Sequence, residues 1–557
     1  MLKANDDITV ADSKSITTNG SNVIFWSNSD NTGDNGYILL RNNSSIISNA
    51  GNVWLGGGSG TTTWNELTVG NGYATAGAEI SSDTFVGSDV SDVASGIYLE
   101  NTSINTGGGN FAAYGNGDDP FERGILAIGD FTLNSESGKI YLDAKSNNEI
   151  SLIFGHHSFQ TTSEVSALTS SNTDTDAITV NTVSQNSVSE SWSYGTWVEG
   201  TTTAKATNGG GIVWTTEGAV KGVNLGYSPA SATGVLNLLA NSGDITLNTK
   251  AKGINIQTTG AINLGRKTGT SVTTSVSDIT VIADDFSSAT SDTFNFNTSG
   301  VVSISPQTGN AFESTFDTSN LTYSSDVSGL TIGHSSNTGN ITVGSATEIA
   351  GPISLFGGVV AVNSPLTATN NTISITSSTS LTDGASGYLN ADGLALNGAG
   401  TVTLDHTSND INTIAAGSSS SPIGALSYTD ADDLTIGTVN PTGIHSSGAI
   451  ELGTLSGDLE LTEPIVSTQA TGDAIQLYAD KDATSSNEGD GNITITNNGL
   501  ITVESGARAL LYSGKETEST GVQAAVGGES NTRTQVDANT DLSTLDPVIG
   551  NTGKYAL

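Results

Sequence analysis

A three-residue alternation, apolar–x–apolar, returns at short intervals along the whole chain. In SGDITLNTKAKGINIQTTGAINLG (Ser242–Gly265) it falls at Ile245/Leu247, Ile254/Ile256 and Ile262/Leu264, in steps of nine and eight residues, each after a Gly-containing break. The same wording recurs around Val23, Tyr37, Ile46 and Val53, around Ile279, Phe294 and Val302, and around Ile341, Ile353, Ile373 and Val402, and it continues through GDLELTE and GNITITNNGLITVES. Period two is the signature of a strand, and each run is only three to five residues long. The Gly, Asn, Asp and Ser between runs suit tight turns. A single rung of this kind cannot bury its apolar side, whereas stacked rungs can, each inward residue resting on its copy in the next coil. Strands paired one coil apart run parallel, so the expected fold is all-β, a parallel β-helix with little or no helix. Steps of about seven to nine residues mark successive sides of a coil, which predicts about 20–25 residues per coil. At about 4.8 Å between strands, the result is an elongated rod roughly 100–135 Å long.

Composition supports a folded chain that is not an ordinary globule. Charged residues are 13% of 557, Gly number 68 and Pro 9, a mixture poor in helix formers and rich in turn formers. Lys and Arg total 17 against 56 Asp and Glu, a net charge of −39. Nucleic-acid partners demand clustered cations and are excluded on that ground, and anionic lipid surfaces are opposed as well. The excess favours solubility and an affinity for divalent cations. Without cysteine there is no disulfide framework. No run approaches 18 apolar residues, so membrane insertion is not expected, and the N-terminal stretch has no apolar leader region. If the protein is exported, the chain is expected to be a piece of a longer precursor.

Four segments are expected: regular coils over 1–160, aromatic-richer and less regular coils or a loop excursion over 161–240, regular coils over 241–530, and an irregular end or linker over 531–557.

Motifs that could carry chemistry each have a plainer reading. GAINLGRKT (Gly260–Thr268) resembles a phosphate-cradling loop, but Arg266 displaces Lys267 and Thr268 from register and no helix pattern follows. The triple glycines at 56–58, 107–109 and 209–211 suit tight corners. His156, His157, His334, His406 and His445 form no zinc motif; His156 and His157 would point to opposite sides of a strand. Acidic groups that could serve glycan cleavage are Asp118 and Asp119 with Glu122 and Arg123, Asp284 with Asp285, and Asp430 with Asp432 and Asp433. All lie at expected strand edges, where Asp is a favoured turn residue. Calcium is the one cofactor to consider, and Asp118, Asp119, Asp430, Asp432 and Asp433 are its candidate ligands. Trp192, Tyr194, Trp197 and Trp214 could form a platform for sugars, or the core of a wider coil. Thr-x-Thr pairs are too irregular for an ice-binding face.

Three stretches, DVSGLTIGHSSNTGNITVGSATEIAGPISLFGGVVAVNSPLTAT (Asp326–Thr369), DDLTIGTVNPTGIHSSGAIELGTLSGDLELTEPI (Asp432–Ile465) and GNVWLGGGSG (Gly51–Gly60), resemble the repeat body of large bacterial filamentous-haemagglutinin-like adhesins of the two-partner-secretion type. The resemblance implies a right-handed β-helix, export by an outer-membrane transporter, an extracellular or cell-surface setting and attachment to a host-cell or environmental glycan or protein receptor. It supplies no receptor-binding residue. The function expected from it is a non-catalytic stalk or display scaffold. A polysaccharide lyase, hydrolase or tailspike-like depolymerase, and a calcium-dependent carbohydrate-binding module, are the alternatives.

Overall fold

The structure, a computed structural model, describes residues 1–30, 36–76, 94–118, 122–147, 150–155, 165–185, 193–226, 233–250, 252–256, 260–265, 275–287, 293–481, 491–497, 500–513, 518–528, 531 and 552–556. Strands make up 59% and helix 1%, the fold is a parallel β-solenoid, and Val522–Ala525 forms the one α-helix among the described residues. The chain divides into two compact units, Met1–Gln307 with Asn320–Asp326, and Thr308–Ser319 with Val327–Leu557.

In the first unit each coil contributes one strand to each of three faces. The triplets of Ser242–Gly265 show the plan: Ile245–Asn248, Gly253–Ile256 and Ala261–Gly265 lie on the first, second and third face of one coil. Ile245, Leu247, Ile254, Ile256, Ile262 and Leu264 are all buried. Each residue then pairs with its equivalent one coil on. Ile245 meets Ile279, Ile254 meets Phe286 and Ile262 meets Phe294, always in parallel. A slip of one residue would turn every aliphatic outward, so the interior fixes the register.

Coil length departs from the sequence expectation in this unit. Phe111 stacks on Ile140, Ile140 on Ile178, Ile178 on Ile212 and Ile212 on Ile245. Hydrogen bonds between equivalent positions of adjacent coils measure the step. It is 29 residues from Asn110 to Lys139, and 34 residues both from Thr182 to Thr216 and from Asp244 to Asp278. Long strands, such as Ile140–Ser146 and Gly200–Ala206, widen the sides, and longer corners add the rest. The second unit keeps the shorter step where Ile353, Ile373, Leu394 and Ile414 stack in turn. There the step is 20 residues, from Asn390 to Asp410 and from Asp392 to Asn412. Its longest strand, Leu366–Asp383, bends through two register shifts and so serves three successive sides, pairing in turn with Thr347–Ile349, Ile353–Gly357 and Val359–Val362.

Polar side chains reinforce the stack at two kinds of position. Just before the strands of the first face, an Asn oxygen accepts the backbone N–H of the equivalent residue one coil on. Asn22 receives Asn52, Asn52 receives Asn110 and Asn110 receives Lys139, each at 2.8 Å. On the outer side of the third face Asn237, Asn263 and Asn295 form a file, each carboxamide donating to the oxygen of the one before at 2.8 and 2.7 Å. Aligned amide ladders of this kind suit in-register parallel strands.

Candidate functional site

On the first face of the first unit, aromatic side chains occupy the outward phase. Strand Phe111–Gly117 turns Phe111, Ala113 and Gly115 inward and Tyr114 outward; strand Ile140–Ser146 turns Ile140, Leu142 and Ala144 inward and Tyr141, Asp143 and Lys145 outward. One coil earlier, strand Val53–Trp64 leaves the solenoid and returns antiparallel through Leu67–Gly72 as a hairpin arm. Asn65 and Glu66 at its tip have φ of 44° and 63°, the pair of left-handed residues that a two-residue hairpin turn requires.

The arm covers outward apolar groups that would otherwise face water. Ile24, Trp26, Trp54, Val69 and Ala112 make a buried cluster, with Trp64, Leu67, Tyr114 and Tyr141 packed against it. Trp26 Nε1–H donates to the Gly58 carbonyl at 2.6 Å, and Lys3 Nζ lies 3.9 Å from the centre of the Trp26 ring. Gly57 permits the close approach: a Cβ there would sit 2.1 Å from the Tyr73 carbonyl oxygen.

Beyond the arm the aromatic surface is only half-buried. Tyr73 meets Tyr114 edge-on at 5.9 Å between centroids, and Tyr114 lies tilted against Tyr141 at 5.5 Å. Tyr141 Oη–H donates to Asp143 at 3.0 Å and accepts from Asn181 Nδ2 at 3.0 Å. Lys145 Nζ sits 4.2 Å from the Tyr73 ring centre. Burial pushes the Tyr114 hydroxyl up to about 12, with Tyr141 and Asp143 adding to it. Burial and then the Asp143 charge raise Tyr73 and Tyr141 too. All three phenols therefore stay neutral at physiological pH and can donate hydrogen bonds.

The aromatic residues singled out in the sequence lie elsewhere. Trp214 points inward, fully buried, 6.0 Å from Phe154, with its Nε1–H directed to Thr196 Oγ1 at 3.3 Å. Trp197 and Tyr194 are buried in a cluster with Leu39, Tyr98, Leu126 and Ile153 and meet edge-on at 5.2 Å. Trp214 is an interior residue of a wide coil, whereas Trp197 stands level with Ile153, in the phase opposite the inward Phe154, and is buried with Tyr194 on the outer side of the second face; none of the three offers a face to a sugar. Trp192 lies outside the described residues.

The acidic candidates are tied into the frame. Asp430 is fully buried at the end of strand Leu426–Asp430. Its carboxylate accepts the Tyr428 hydroxyl at 2.5 Å, the Ile411 amide at 3.0 Å and the Asp432 amide at 3.2 Å. Burial, partly offset by these bonds, pushes its acid up to about 7. Asp433 takes the Asp458 amide at 2.7 Å, and Asp458 takes the Asn492 amide at 2.8 Å, the corner relay of the first unit used again. Burial and the charges of Asp410 and Asp433 raise the Asp432 acid. Asp284 accepts the Gln307 amide at 2.7 Å, Asp285 pairs with Lys221, and the Asp118 amide donates to Glu122 at 3.0 Å. Among the described residues no three His, Asp or Glu side chains converge as a metal site. Asp284, Asp430 and Asp433 thus act as turn and corner acceptors. Asp119, His156, His157, Arg266, Lys267 and Thr268 lie outside the described residues.

The tyrosine face escapes a linear reading because Tyr73, Tyr114 and Tyr141 are far apart in sequence and meet only through coil stacking. A signal was present: FAAYGNG and IYLDAKS each place Tyr in the polar phase of the alternation. No helix among the described residues is long and apolar enough to cross a membrane. No family model, no curated protein and no solved structure matches the chain.

Proposed function

We propose that the chain is a non-catalytic stalk or display scaffold of a secreted bacterial adhesin of the filamentous-haemagglutinin-like type. It would be carried out by an outer-membrane transporter and would hold contact groups toward a glycan or protein receptor. The observation that supports this reading most is that polar chemistry within each described unit is spent on continuity. Asn and Asp oxygens accept amides one coil away, and the most buried candidate acid, Asp430, is bound by three donors. Catalytic carboxylates need freedom to exchange protons with a substrate, and a corner acceptor has little. Continuous parallel pairing resists local opening, and many weak contacts displayed from one frame add through multivalency.

The test uses beads coated with the full chain, passed over mucin, chitin and cellulose surfaces under flow. Bead retention that rises with protein density, without new reducing ends from the same polysaccharides, is the expected result. Steady reducing-end release would overturn the non-catalytic part, and absence of retention on every surface would overturn the adhesive part.

A further inference from the structure

We infer that the half-buried tyrosine face formed by Tyr73, Tyr114 and Tyr141, with Asp143, Lys145 and Asn181, binds a neutral polysaccharide by stacking on its pyranose rings. The inference rests on the display reading for its use in the organism, while its chemistry stands on this face alone. On the later coils the equivalent outward positions are smaller: Tyr141 pairs with Thr179, Thr179 with Val213, and Val213 with Thr246, whereas on the earlier coils the column continues through Ala112 and Trp54 beneath the arm. Three phenol rings are thus concentrated on consecutive coils, Tyr114 and Tyr141 resting on the cluster beneath the arm while staying half-buried. Their centroids are 5.5 and 5.9 Å apart, close to the length of one sugar unit in an extended chain. The rings offer apolar surface to sugar C–H groups. The Tyr141 hydroxyl, the Asp143 carboxylate and the Asn181 carboxamide form a connected polar set beside them. A carboxylate has about four acceptor positions, so sugar hydroxyls can join without breaking that set.

Charge selects the class of glycan. Asp143 and Lys145 give the face one negative and one positive group within a chain of net charge −39. Asp143 offsets Lys145 there, and the long-range field of the chain repels a uronate or sulfate chain. A second tyrosine pair marks the contrast. Tyr478 and Tyr512 are parallel at 4.6 Å with a 2° interplanar angle, and Lys481 Nζ lies 5.3 Å from the Tyr478 centroid. Those rings stack face to face on each other, which leaves less face for a sugar, so that pair serves as the control.

The experiment titrates the full chain with cellohexaose, mannohexaose, chitohexaose and an alginate hexamer by isothermal calorimetry. At least one neutral hexaose should bind with a Kd of about a millimolar or tighter. Tyr114→Ala and Tyr141→Ala should each weaken it about tenfold, and Tyr478→Ala should not change it. Tyr141→Phe, which keeps the ring, and Asn181→Ala, on the outer surface, keep the test decisive if an alanine variant fails to fold. The first should retain most of the affinity and the second should lose a few-fold. Binding by no neutral hexaose, equal binding of the alginate hexamer, or tyrosine variants that bind like the parent would overturn the inference. Bead retention without hexaose binding would remove this site while leaving the display reading in place.

Discussion

Replacing Asp430 by Asn should invert the order of stability of the two proteins between acid and alkaline pH. Asp430 is buried at the end of its strand, and its acid lies at about 7, against 3.8 for an ordinary Asp. The folded chain therefore holds the proton more tightly than the unfolded chain. The stability this confers is fully present below about pH 4 and is lost as pH rises through about 7. At 1.36 kcal/mol per pH unit, the span from 3.8 to about 7 sets a loss of at most about 4 kcal/mol. Neighbouring charges act in the same sense: Asp432 on Asp430 itself, and Asp383 and Asp410 on its partner Tyr428. A carboxamide carries no charge to desolvate. Its oxygen can take the place of Oδ2, which accepts both Tyr428 and Ile411. Its NH2 then faces the Asp432 amide and forfeits one bond, a cost of about 1–2 kcal/mol at any pH. D430N should thus be less stable than the parent near pH 3.5 and more stable near pH 8. Hydrogen exchange read by mass spectrometry on peptides spanning Asn409–Ile436 measures this, with both proteins compared at the same pH so that intrinsic exchange rates cancel. A parent protein more protected than D430N by the same margin at both pH values would refute the reasoning.

Trp214→Ala should cost about 3–5 kcal/mol, the range for emptying a large buried site, and should lower the urea midpoint of the first unit followed by tryptophan emission. A merely surface-exposed ring would leave that midpoint within error. Gly57→Ala should cost about 1–3 kcal/mol of local stability, because its new methyl collides with the Tyr73 carbonyl; the expected sign is a red shift of Trp26 emission as the arm lifts, and an unshifted spectrum would contradict the close approach. Millimolar calcium or excess EDTA should move the melting temperature by less than about 1 °C, since Asp430 and Asp433 accept backbone amides and no three acidic or His side chains converge among the described residues. A site held at a hundred times its Kd would add about 2.7 kcal/mol, and a rise of several degrees would expose one.

Fold class was legible because a solenoid writes its interior as a local alternation. Ile245, Ile254 and Ile262 are close in sequence and occupy successive faces of a single coil, so a short window held the whole plan. Coil length was less legible. The short steps of Ser242–Gly265 measure sides within a coil, whereas the corners that set the full turn carry no periodic residue. That same coil takes 34 residues from Asp244 to Asp278, well beyond what its triplets suggested. Of the two readings open for the aromatics, the core of a wide coil is the one Trp214 takes. Its phase is inward in IVWTTE, whereas Trp197 is buried in the outward phase, which alternation alone does not announce. Asp430 and Asp433 were found as acids but not as acceptors, because their donors belong to other coils or to the strand end itself.

The hairpin arm shows how tolerant this architecture is of lateral growth. Val53 pairs with Val23 below it and with Phe111 above it, and Phe111 pairs in turn with Ile140. The corner asparagines beside them mark the distances: 30 residues from Asn22 to Asn52, 58 residues from Asn52 to Asn110, then 29 residues from Asn110 to Lys139. A coil that swallowed nearly its own length again passes no disturbance to its successor, because each rung answers only to the one beside it. Ornament can therefore be acquired, exchanged or deleted at a bend without renegotiating the rest of the molecule, which makes the bends the natural place for variation and for grafting foreign loops.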